Sequence, residues 1–388
     1  MCRGKSVYLV LTECKLPKSL KGCDQMNSIS TSLHRMNISR FRGLRVFSCD
    51  GLGGVTIVGG RNNSGKTSFL EAIYMLHRGA VASSLAELNE LRRVTASWED
   101  FALAFYDGDY STPIQVTGEF SDATKKEVVV SLVDREKIVY TGDKDKDARL
   151  SKEIHVDETI SEPTNDKSET VKSKFYYELK SDPPRPGGLA QDSWVLYNAR
   201  KNTRNTVYLT ASIQRDVCLQ YLRETLDQKR GEAILRAMQR VDSRIQSLAV
   251  NGQVKVDVKG IGHLLPVQLL GDGMQKIVNV LSAIYHCRGG GCVLIDEIDN
   301  GLHYSAYLPL MRSAVRFAME NQVQLFMTTH NLEFIQQLAG DDELKSVLSN
   351  EECFAYLNLV RTSEGGLDCI HYTFAQLADA VDVGLEVR

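Results

Sequence analysis

The chain has 388 residues, with 43% hydrophobic and 24% charged residues and a formal net charge of -3 at pH 7. These values are ordinary for a globular protein and exclude a low-complexity or strongly charged chain, while the length allows one large domain or two. No apolar run approaches the roughly 20 residues of a membrane span, so no membrane partner is predicted. Nine scattered cysteines, none in a C-x-x-C pair, predict a cytoplasmic protein in a reducing compartment rather than a disulfide framework.

The regular pattern of the chain begins after an irregular start. Residues 1–35 are mixed in character and are predicted to be an N-terminal extension, with disorder as one interpretation and an upstream choice of start as the alternative. The stretch MNISRFRGLRVF at residues 36–47 then predicts a first strand. Functional residues are therefore expected only beyond residue 35.

The next element is a short strand that leads into a glycine-rich loop. Val55–Val58 is an apolar, β-branched run, which predicts a buried strand. Gly60–Thr67 follows it with the sequence GRNNSGKT, which fits G-x-x-x-x-G-K-[ST]. Apolar residues then recur at helical spacing from Phe69 to Leu76. This is the strand, loop and helix order that a phosphate-binding loop requires.

The residue types of this loop suit the binding of a nucleotide. Gly60 and Gly65 allow backbone N–H groups to turn inward around an anion, and the helix N-terminus adds partial positive charge. Lys66 can reach the β- and γ-phosphates, and the Thr67 hydroxyl can bind Mg²⁺. No N-K-x-D tetrapeptide for guanine occurs, which favours ATP. The predicted nucleotide-binding residues of the loop are Gly60, Asn62, Asn63, Ser64, Gly65, Lys66, Thr67 and Ser68.

The middle of the chain is less regular. Residues 115–140 alternate between apolar and polar, which predicts antiparallel strands. Residues 142–192 are rich in Lys, Asp, Glu, Ser and Pro, which predicts either a mobile loop or an insertion that docks an effector. Residues 211–248 have helical periodicity and predict a helical arm.

A second cluster of polar residues lies about two hundred residues after the phosphate loop. Residues 266–338 read as loop, helix, strand, helix, strand and helix, and the apolar strands Cys292–Ile295 and Val323–Met327 predict a parallel sheet buried on both faces. Asp296 and His330 follow these strands, and ligands gather at the carboxyl ends of such strands. An Asp-Glu pair alone is common on surfaces, and a histidine after a strand is usually structural. In a chain that also has a phosphate loop, however, an Asp-Glu pair after one buried strand and a histidine after the next indicate a catalytic site.

The order of these motifs resembles the ATP-binding-cassette (ABC) ATPases of the SMC and RecF kind, and most of all the OLD family and its stand-alone relatives. The resemblance implies an α/β fold: an ABC/SMC-type P-loop NTPase head with a mixed sheet, an antiparallel β subdomain and a helical arm. By this resemblance, Asp296 orients Mg²⁺ together with Thr67, and Glu297 positions the attacking water. His330 senses the γ-phosphate, and Lys66 completes the predicted catalytic set.

The resemblance also implies a dimer or a higher homo-oligomer. Residues Gly271, Asp272 and Gly273 occupy the signature position, where they would meet the ATP of a second subunit, and Asp299–His303 is similar to the D-loop at that interface. The motif lacks the leading serine of the cassette consensus. Gln115 is a weak candidate for the Q-loop glutamine. Arg40 and Arg42 are candidates for stacking on adenine, with a solvated strand face as the alternative.

These patterns divide the chain into an extension, an N-terminal lobe with phosphate loop and β subdomain, a charged flexible insertion, a helical arm and a C-terminal lobe. The predicted boundaries are 1–35, 36–140, 141–192, 193–262 and 263–388. Within the C-terminal lobe, residues 354–372 predict a closing hairpin, and Thr373–Gln376 fits a capping box before a last helix. OLD nucleases carry a TOPRIM nuclease domain beyond the ATPase, but the 58 residues after His330 contain no D-x-D cluster, so we expect no such domain here.

By resemblance, the function expected is an ATP-hydrolysing switch that serves a separate effector protein, commonly a nuclease, in bacteriophage defence, as in the PARIS and Septu systems. A RecF-like DNA-repair ATPase that binds DNA is the alternative. A self-contained OLD-type nuclease is a more remote one.

Overall fold

The computed structural model describes residues 32–79, 84–94, 98–138, 148–162, 169–178, 196–197, 205–210, 215–362, 366–385 and 387. The predicted extension therefore falls almost entirely outside the described residues. None of the described helices is both long and apolar enough to cross a membrane.

The strands form three sheets within the described part of the chain. Their bounds are β1 Leu33–Phe41, β2 Leu44–Cys49, β3 Val55–Gly60, β4 Ile114–Phe120, β5 Lys125–Ile138, β6 Ala148–Ser161, β7 Glu169–Glu178, β8 Leu196–Tyr197, β9 Thr206–Leu209, β10 Ile245–Asn251, β11 Gln253–Val258, β12 Leu265–Pro266, β13 Cys292–Ile295, β14 Gln324–Thr328, β15 Phe354–Arg361 and β16 Leu367–Tyr372. The α-helices are α1 Lys66–Arg78, α2 Ser84–Leu91, α3 Trp98–Ala102, α4 Arg215–Asp227, α5 Gly231–Val241, α6 Asp272–His286, α7 Tyr307–Glu320, α8 Leu332–Ala339, α9 Asp342–Leu348 and α10 Phe374–Asp382.

The central sheet has the order β16-β15-β3-β14-β13-β9. Its pairs are parallel except for the antiparallel β15–β16 hairpin. Every residue of β3, β13 and β14 is buried, as expected for strands covered on both faces. Because β14 lies between β3 and β13, the carboxyl ends of these three strands meet at one edge of the sheet.

The two faces of this sheet contribute to two hydrophobic cores. Val58, Leu294 and Phe326 pack into one core with α1 and the antiparallel sheet. Their strand neighbours, such as Ile57 and Val293, pack on the opposite face with α4 to α8 and α10. Helix α1 lies between the two large sheets, since it contacts β1, β4 and β5 as well as β3, β9, β13 and β14. The phosphate-loop helix is thereby fixed from both sides.

The antiparallel sheet has the order β2-β1-β4-β5-β6-β7-β8 and extends into the segment predicted to be a flexible insertion. The prediction of a loop within 141–192 is wrong for β6 and β7, which pair with β5 and with each other. Ile154 and Val156 are buried opposite Leu132 and Val130. The many charged residues of this segment conceal an alternation with one apolar face, and that face is enough to build a strand.

The segment predicted to be a helical arm, 193–262, is only partly helical. Helices α4 and α5 fall within it, but so do β9 and the hairpin β10–β11, which is closed at Gly252. The hairpin buries Leu248, Val254 and Val256 at alternate positions, and this period of two marks strands rather than a helix.

The C-terminal predictions are confirmed. Strands β15 and β16 form the expected hairpin. The hydroxyl of Thr373 accepts a hydrogen bond from the N–H of Gln376, whose side chain accepts one from the N–H of Thr373, so the capping box before α10 is present. The parallel core with one antiparallel edge, the antiparallel subdomain and the helical layer confirm the predicted ABC/SMC-type P-loop NTPase fold.

Candidate nucleotide-binding and hydrolysis site

The glycine-rich loop leaves β3 at a position where only glycine fits. A Cβ atom on Gly60 would lie 2.7 Å from the carbonyl oxygen of Leu359 and 2.7 Å from the Ser64 hydroxyl, and the φ angle of Gly60 is 134°. Asn63 and Gly65 also have positive φ angles, of 62° and 94°. These residues wind the chain tightly enough to begin α1 at Lys66, directly after the loop.

Lys66 lies across the loop with its ammonium group largely shielded from water. The residue is 8% exposed, and its Nζ donates to the carbonyl oxygens of Gly60 at 2.7 Å and Arg61 at 2.8 Å. Burial lowers the pKa of Lys66, while the attraction of nearby carboxylates, foremost Asp296, opposes this shift. The Lys66 ammonium group is therefore positioned in the loop where it can bind the oxygens of a polyphosphate.

Ser64 supports the same assignment. In the described part of the chain its Oγ is buried and has no hydrogen-bond partner. A buried hydroxyl without a partner is unfavourable, and in loops of this type a phosphate oxygen of the bound nucleotide can be the partner. The residues present therefore fit a bound nucleotide.

Thr67 and Asp296 meet beside the loop. The Thr67 hydroxyl donates to the two carboxylate oxygens of Asp296 at 3.2 and 3.0 Å, although 229 positions separate the residues. The Thr328 hydroxyl, at the end of β14, donates to Oδ1 of Asp296 at 2.6 Å. A hydroxyl and a carboxylate are hard oxygen ligands of the kind that Mg²⁺ prefers beside substrate phosphates. The pair thus fits the predicted metal site.

Glu297 and His330 lie next to this pair. Glu297 has a φ angle of 51°, and its N–H donates to the Thr328 hydroxyl at 2.8 Å. Its carboxylate is 3.9 Å from Nδ1 of His330 and accepts from the Asn300 side chain at 3.3 Å. Both side chains remain accessible, with exposures of 38% for Glu297 and 44% for His330. The predicted base and switch histidine are therefore neighbours at the open side of the site.

The turn after Glu297 is held firmly from behind. Asp299, only 6% exposed, accepts a hydrogen bond of 2.7 Å from the Thr329 hydroxyl. Lys276 of helix α6 donates to the carbonyl oxygens of Glu297 at 2.7 Å and Asn300 at 2.9 Å. Sequence reasoning did not single out Lys276, because a lysine on an amphipathic helix usually marks a solvated face.

The signature residues lie apart from the hydrogen-bonded cluster around Thr67 and Asp296. Gly271 and Asp272 are exposed at the N-terminal end of α6, and Gly271 has a φ angle of 93°. A Cβ atom on Gly273 would approach the side chain of Leu302 at 3.4 Å, in the segment predicted to be the D-loop. The segment predicted to be the signature therefore adjoins the predicted D-loop of its own chain, and Gly271 and Asp272 are exposed there.

A cavity of about 330 Å³ beside the Thr67–Asp296 pair includes residues that sequence reasoning missed. Two of these residues, Tyr208 and Thr210, lie in or directly after β9. Strand β9 pairs in parallel with β13, and the Asp296 N–H donates to the Leu209 carbonyl at 2.8 Å, which places Thr210 beside Asp296. The apolar run before Thr210 was the available signal. The cavity is lined by Thr67, Glu71, Leu91, Arg92, Arg93, Tyr208, Thr210 and Asp296.

Glu71, one turn after Thr67 on α1, joins two arginines. It is 1% exposed and pairs with Arg92 at 2.5 and 2.9 Å and with Arg42 at 2.6 Å. Burial lowers the pKa of Arg42, and the charge of Glu71 opposes the shift. The alternative of a solvated strand face is therefore wrong for Arg42, whose side chain is 11% exposed, while stacking on adenine stays a prediction.

The other two weak candidates are engaged elsewhere. Arg40 pairs with Asp109 on the antiparallel side of the molecule. The Gln115 side chain is hydrogen-bonded to Glu127 of the neighbouring strand, in an exposed position. Neither residue belongs to the hydrogen-bonded cluster at the phosphate loop.

Comparisons with known proteins fit this geometry. A family model described as "AAA domain, putative AbiEii toxin, Type IV TA system" matches residues 55–336, which include the phosphate loop, Asp296 and His330. A protein of Helicobacter pylori (strain ATCC 700392 / 26695) named ATP/GTP phosphatase is 24% identical over 336 residues, covering 79% of this chain and 87% of that protein.

Solved structures of SMC head domains are also similar, though distantly. The SMC head domain from Thermotoga maritima is 12% identical with a TM-score of 0.39, and the alignment covers 88% of this chain and 98% of that one. A head domain with an extended coiled coil, bound to the C-terminal domain of ScpA derived from Pyrococcus furiosus, is 10% identical with a TM-score of 0.44, covering 91% and 99%. The fold assignment rests on the strand order described above rather than on these scores.

The family model spans well over half of the chain, and the matched residues include the phosphate loop and the acidic pair after β13. The chain belongs to this AAA-domain family of P-loop ATPases.

Proposed function

We propose that the chain binds Mg²⁺-ATP at the phosphate loop and hydrolyses it with a water molecule positioned by Glu297. One observation carries the proposal: the hydroxyl of Thr67 is hydrogen-bonded directly to Asp296, beside Glu297. This contact joins the phosphate-loop helix to the end of β13. It assembles the parts of a phosphoryl-transfer site that the sequence motifs imply.

Each residue has a role that follows from its position. Lys66 attracts the phosphate oxygens and offsets the charge that develops on them. Glu297 orients the attacking water and accepts its proton, and His330, 3.9 Å from that carboxylate, responds to the terminal phosphate. Bound Mg²⁺ would neutralise phosphate charge, with Thr67 and Asp296 as the residues that hold it.

The second half of the proposal is assembly. The glycines Gly271 and Gly273 stand at the N-terminal end of a 15-residue helix, where N–H groups and the helix dipole favour an anion. Gly271 is exposed and open to a second molecule. We therefore infer a homodimer in which each signature segment faces the terminal phosphate held by the other subunit. ATP is favoured over GTP only by the missing guanine motif.

The role served by hydrolysis is proposed from the family. We infer a cytoplasmic switch that engages a separate effector protein, such as a nuclease, in defence against phage. The matching family is described as a putative AbiEii toxin of a type IV toxin–antitoxin system, and this supports a role in defence. A RecF-like repair ATPase is the second candidate, and it predicts ATP-dependent DNA affinity that falls steeply with salt.

The experiment pairs turnover with capture. Purified protein is assayed for phosphate release from ATP and GTP, and Glu297→Gln protein with ATP is used as bait in the native host. We expect ATP turnover and a co-purifying effector that is absent with Lys66→Met bait. Absence of turnover from both nucleotides contradicts the ATPase proposal. Recovery of DNA with salt-sensitive binding, and no protein, would favour the repair function instead.

A further inference from the structure

We propose that Lys276 is a positioning residue that connects the signature helix to the turn carrying Glu297, so that docking of a partner at the signature aligns the base for hydrolysis. The inference rests on the proposed ATPase function. It adds to that function a route by which one face of the molecule controls the other.

The position of Lys276 is unusual for a lysine. It lies on α6, three residues after Gly273, and is 7% exposed. Its Nζ donates to the carbonyl oxygens of Glu297 and Asn300 at 2.7 and 2.9 Å. The Asn300 N–H also donates to the Glu297 carbonyl at 3.0 Å. One ammonium group thus gathers both ends of the turn that begins at Glu297.

Both peptide groups of Glu297 are fixed by other elements. Its N–H donates to the hydroxyl of Thr328 at the end of β14, and its carbonyl accepts from Lys276 of α6. Glu297 has a φ angle of 51°, a conformation that non-glycine residues hold only when their surroundings enforce it. Among the described residues, Lys276, Thr328 and the Asn300 N–H are hydrogen-bonded to the Glu297 backbone and hold this conformation. A shift of α6 would therefore move the Glu297 carbonyl and reorient its side chain.

Helix α6 is also the element that reaches the predicted partner surface. It begins next to Gly271, which is exposed, and a Cβ atom on Gly301 of the D-loop would lie 3.4 Å from the Cβ of Asp272. The path from the surface to the base is therefore short: signature segment, first turn of α6, Lys276 and the Glu297 carbonyl. Each step is a covalent or hydrogen-bonded connection.

Burying a cation here is unfavourable, which argues against a role in packing alone. Burial lowers the pKa of Lys276 to about 8, and the attraction of Asp299, Glu297, Asp296 and Asp272 opposes that shift. An apolar side chain of similar length would fill the same space without this penalty. What it would lack is the pair of donors to the turn.

The test compares three substitutions at position 276 with a control on the same helix. Lys276→Met keeps the length and removes the donors, Lys276→Gln keeps an uncharged donor, and Lys276→Arg keeps charged donors. Ser282→Ala is the control, because Ser282 is fully buried on α6 and, among the described residues, its hydroxyl bonds just the Val278 carbonyl of the same helix. Affinity for a fluorescent ATP analogue, single-turnover rate and thermal unfolding are measured for each.

We expect Lys276→Met to lower the single-turnover rate by roughly tenfold to a hundredfold, the range for a misplaced catalytic group, with nucleotide affinity within twofold of wild type. Lys276→Arg should recover part of the rate, and Ser282→Ala should match wild type. In a Glu297→Gln background, Lys276→Met should slow the reaction no further, because it acts through Glu297.

Three results overturn the inference: a wild-type rate for Lys276→Met, an equal loss of rate and nucleotide affinity, or a full additional loss in the Glu297→Gln background. If Lys276→Met does not fold, the same criteria apply to Lys276→Gln. Wild-type protein that turns over no ATP defeats the proposed function instead. An active wild type with an unaffected Lys276→Met variant defeats this inference alone.

Discussion

The phosphate-loop edge and the signature end of α6 differ in how complete they are within one chain. At the phosphate-loop edge, Lys66 is buried, and Asp296 accepts hydrogen bonds from two hydroxyls. At the signature end, Gly271 is exposed, and among the described residues no heavy atom outside its own chain neighbours lies within 4 Å of the position its Cβ would take. Leu269, two residues earlier, is 71% exposed. One region is preorganised, and the other presents donors and apolar surface to solvent.

This difference indicates that ATP binding and ATP hydrolysis, the two steps of the proposed cycle, depend on different regions of the molecule. A preorganised polar site can bind its ligand without the cost of reorganisation, so a single chain should hold ATP. Exposed donors at a helix N-terminus contribute little in water and more when a partner excludes the water. Binding should therefore depend on one region, and efficient hydrolysis on both.

The largest expected effect is loss of the cation in the phosphate loop. Lys66→Met removes the charge that lies against the Gly60 and Arg61 carbonyls, so ATP affinity and turnover should both fall, with kcat/KM lower by on the order of 10³-fold. Steady-state phosphate release and ATP-analogue titration measure this. Lys125→Met, which removes an exposed lysine of the antiparallel sheet, is the matched control and should behave as wild type. Equal activity of the two variants would contradict the assignment of the phosphate loop as the ATP-binding region.

The signature region is tested by a substitution that leaves the phosphate loop untouched. Gly273→Gln places a long side chain at the surface beside Leu302, so turnover should fall by about 10²-fold while ATP affinity of the single chain stays within a fewfold.

Mixing two inactive proteins sharpens this test. An equimolar mixture of Lys66→Met and Gly273→Gln proteins should regain part of the wild-type rate, because one composite site then has an intact loop and an intact signature. A mixture as inactive as its components contradicts shared sites between subunits.

A smaller effect is expected at Thr328, which holds the acidic pair from behind. Thr328→Val preserves shape but removes the hydrogen bond to Asp296 and the acceptor of the Glu297 N–H. We expect kcat to fall about tenfold, because the loss of these two hydrogen bonds leaves the acidic pair less precisely oriented, with KM little changed. The control is Thr225→Val, because the buried Thr225 hydroxyl donates to the Tyr221 carbonyl within α4 and bonds no other described residue. If both variants lose kcat equally, the effect reflects general stability.

The smallest effect concerns pH and stability. Folding lowers the pKa of Lys276 from 10.5 to about 8, so between these values the unfolded chain binds a proton that the folded chain lacks. Unfolding then takes up a proton, and the free energy of unfolding contributed by this residue rises with pH across that window.

Wild type should therefore gain on the order of 1 kcal/mol of stability relative to Lys276→Met as pH rises through this window. Urea denaturation of both proteins at the lower and upper ends of the window from about pH 8 to pH 10.5 measures the difference. A gap that stays constant or narrows as pH rises means that Lys276 is not held in a desolvated position.

The sequence predicted the parts of the site that depend on local patterns. The phosphate loop is contiguous, and Asp296 and His330 each follow an apolar strand, so the meeting of Thr67 and Asp296 at the sheet edge could be anticipated. The pair of Glu71 and Arg92 could not be anticipated, because it joins α1 to the turn after α2, and no local pattern encodes how these elements pack. The same holds for Lys276, whose partners are backbone carbonyls.

Fold predictions failed where composition obscured periodicity. Strand β6 carries many charges, and its buried Ile154 and Val156 are too few to stand out from a solvated loop. The hairpin β10–β11 follows two helices and has a similar apolar content, so its alternating pattern is hard to distinguish from a continuation of the helical arm. In both segments tertiary pairing, rather than local propensity, decides the structure.

The central claim is that Glu297 positions the water that cleaves ATP, and single-turnover hydrolysis by Glu297→Gln protein tests it most directly. Glutamine preserves the shape of the side chain and the backbone bonds at that turn but cannot accept the proton. We predict ATP affinity equal to wild type and a single-turnover rate lower by roughly 10²-fold to 10³-fold. A wild-type rate from Glu297→Gln with bound ATP would contradict the assignment of the base.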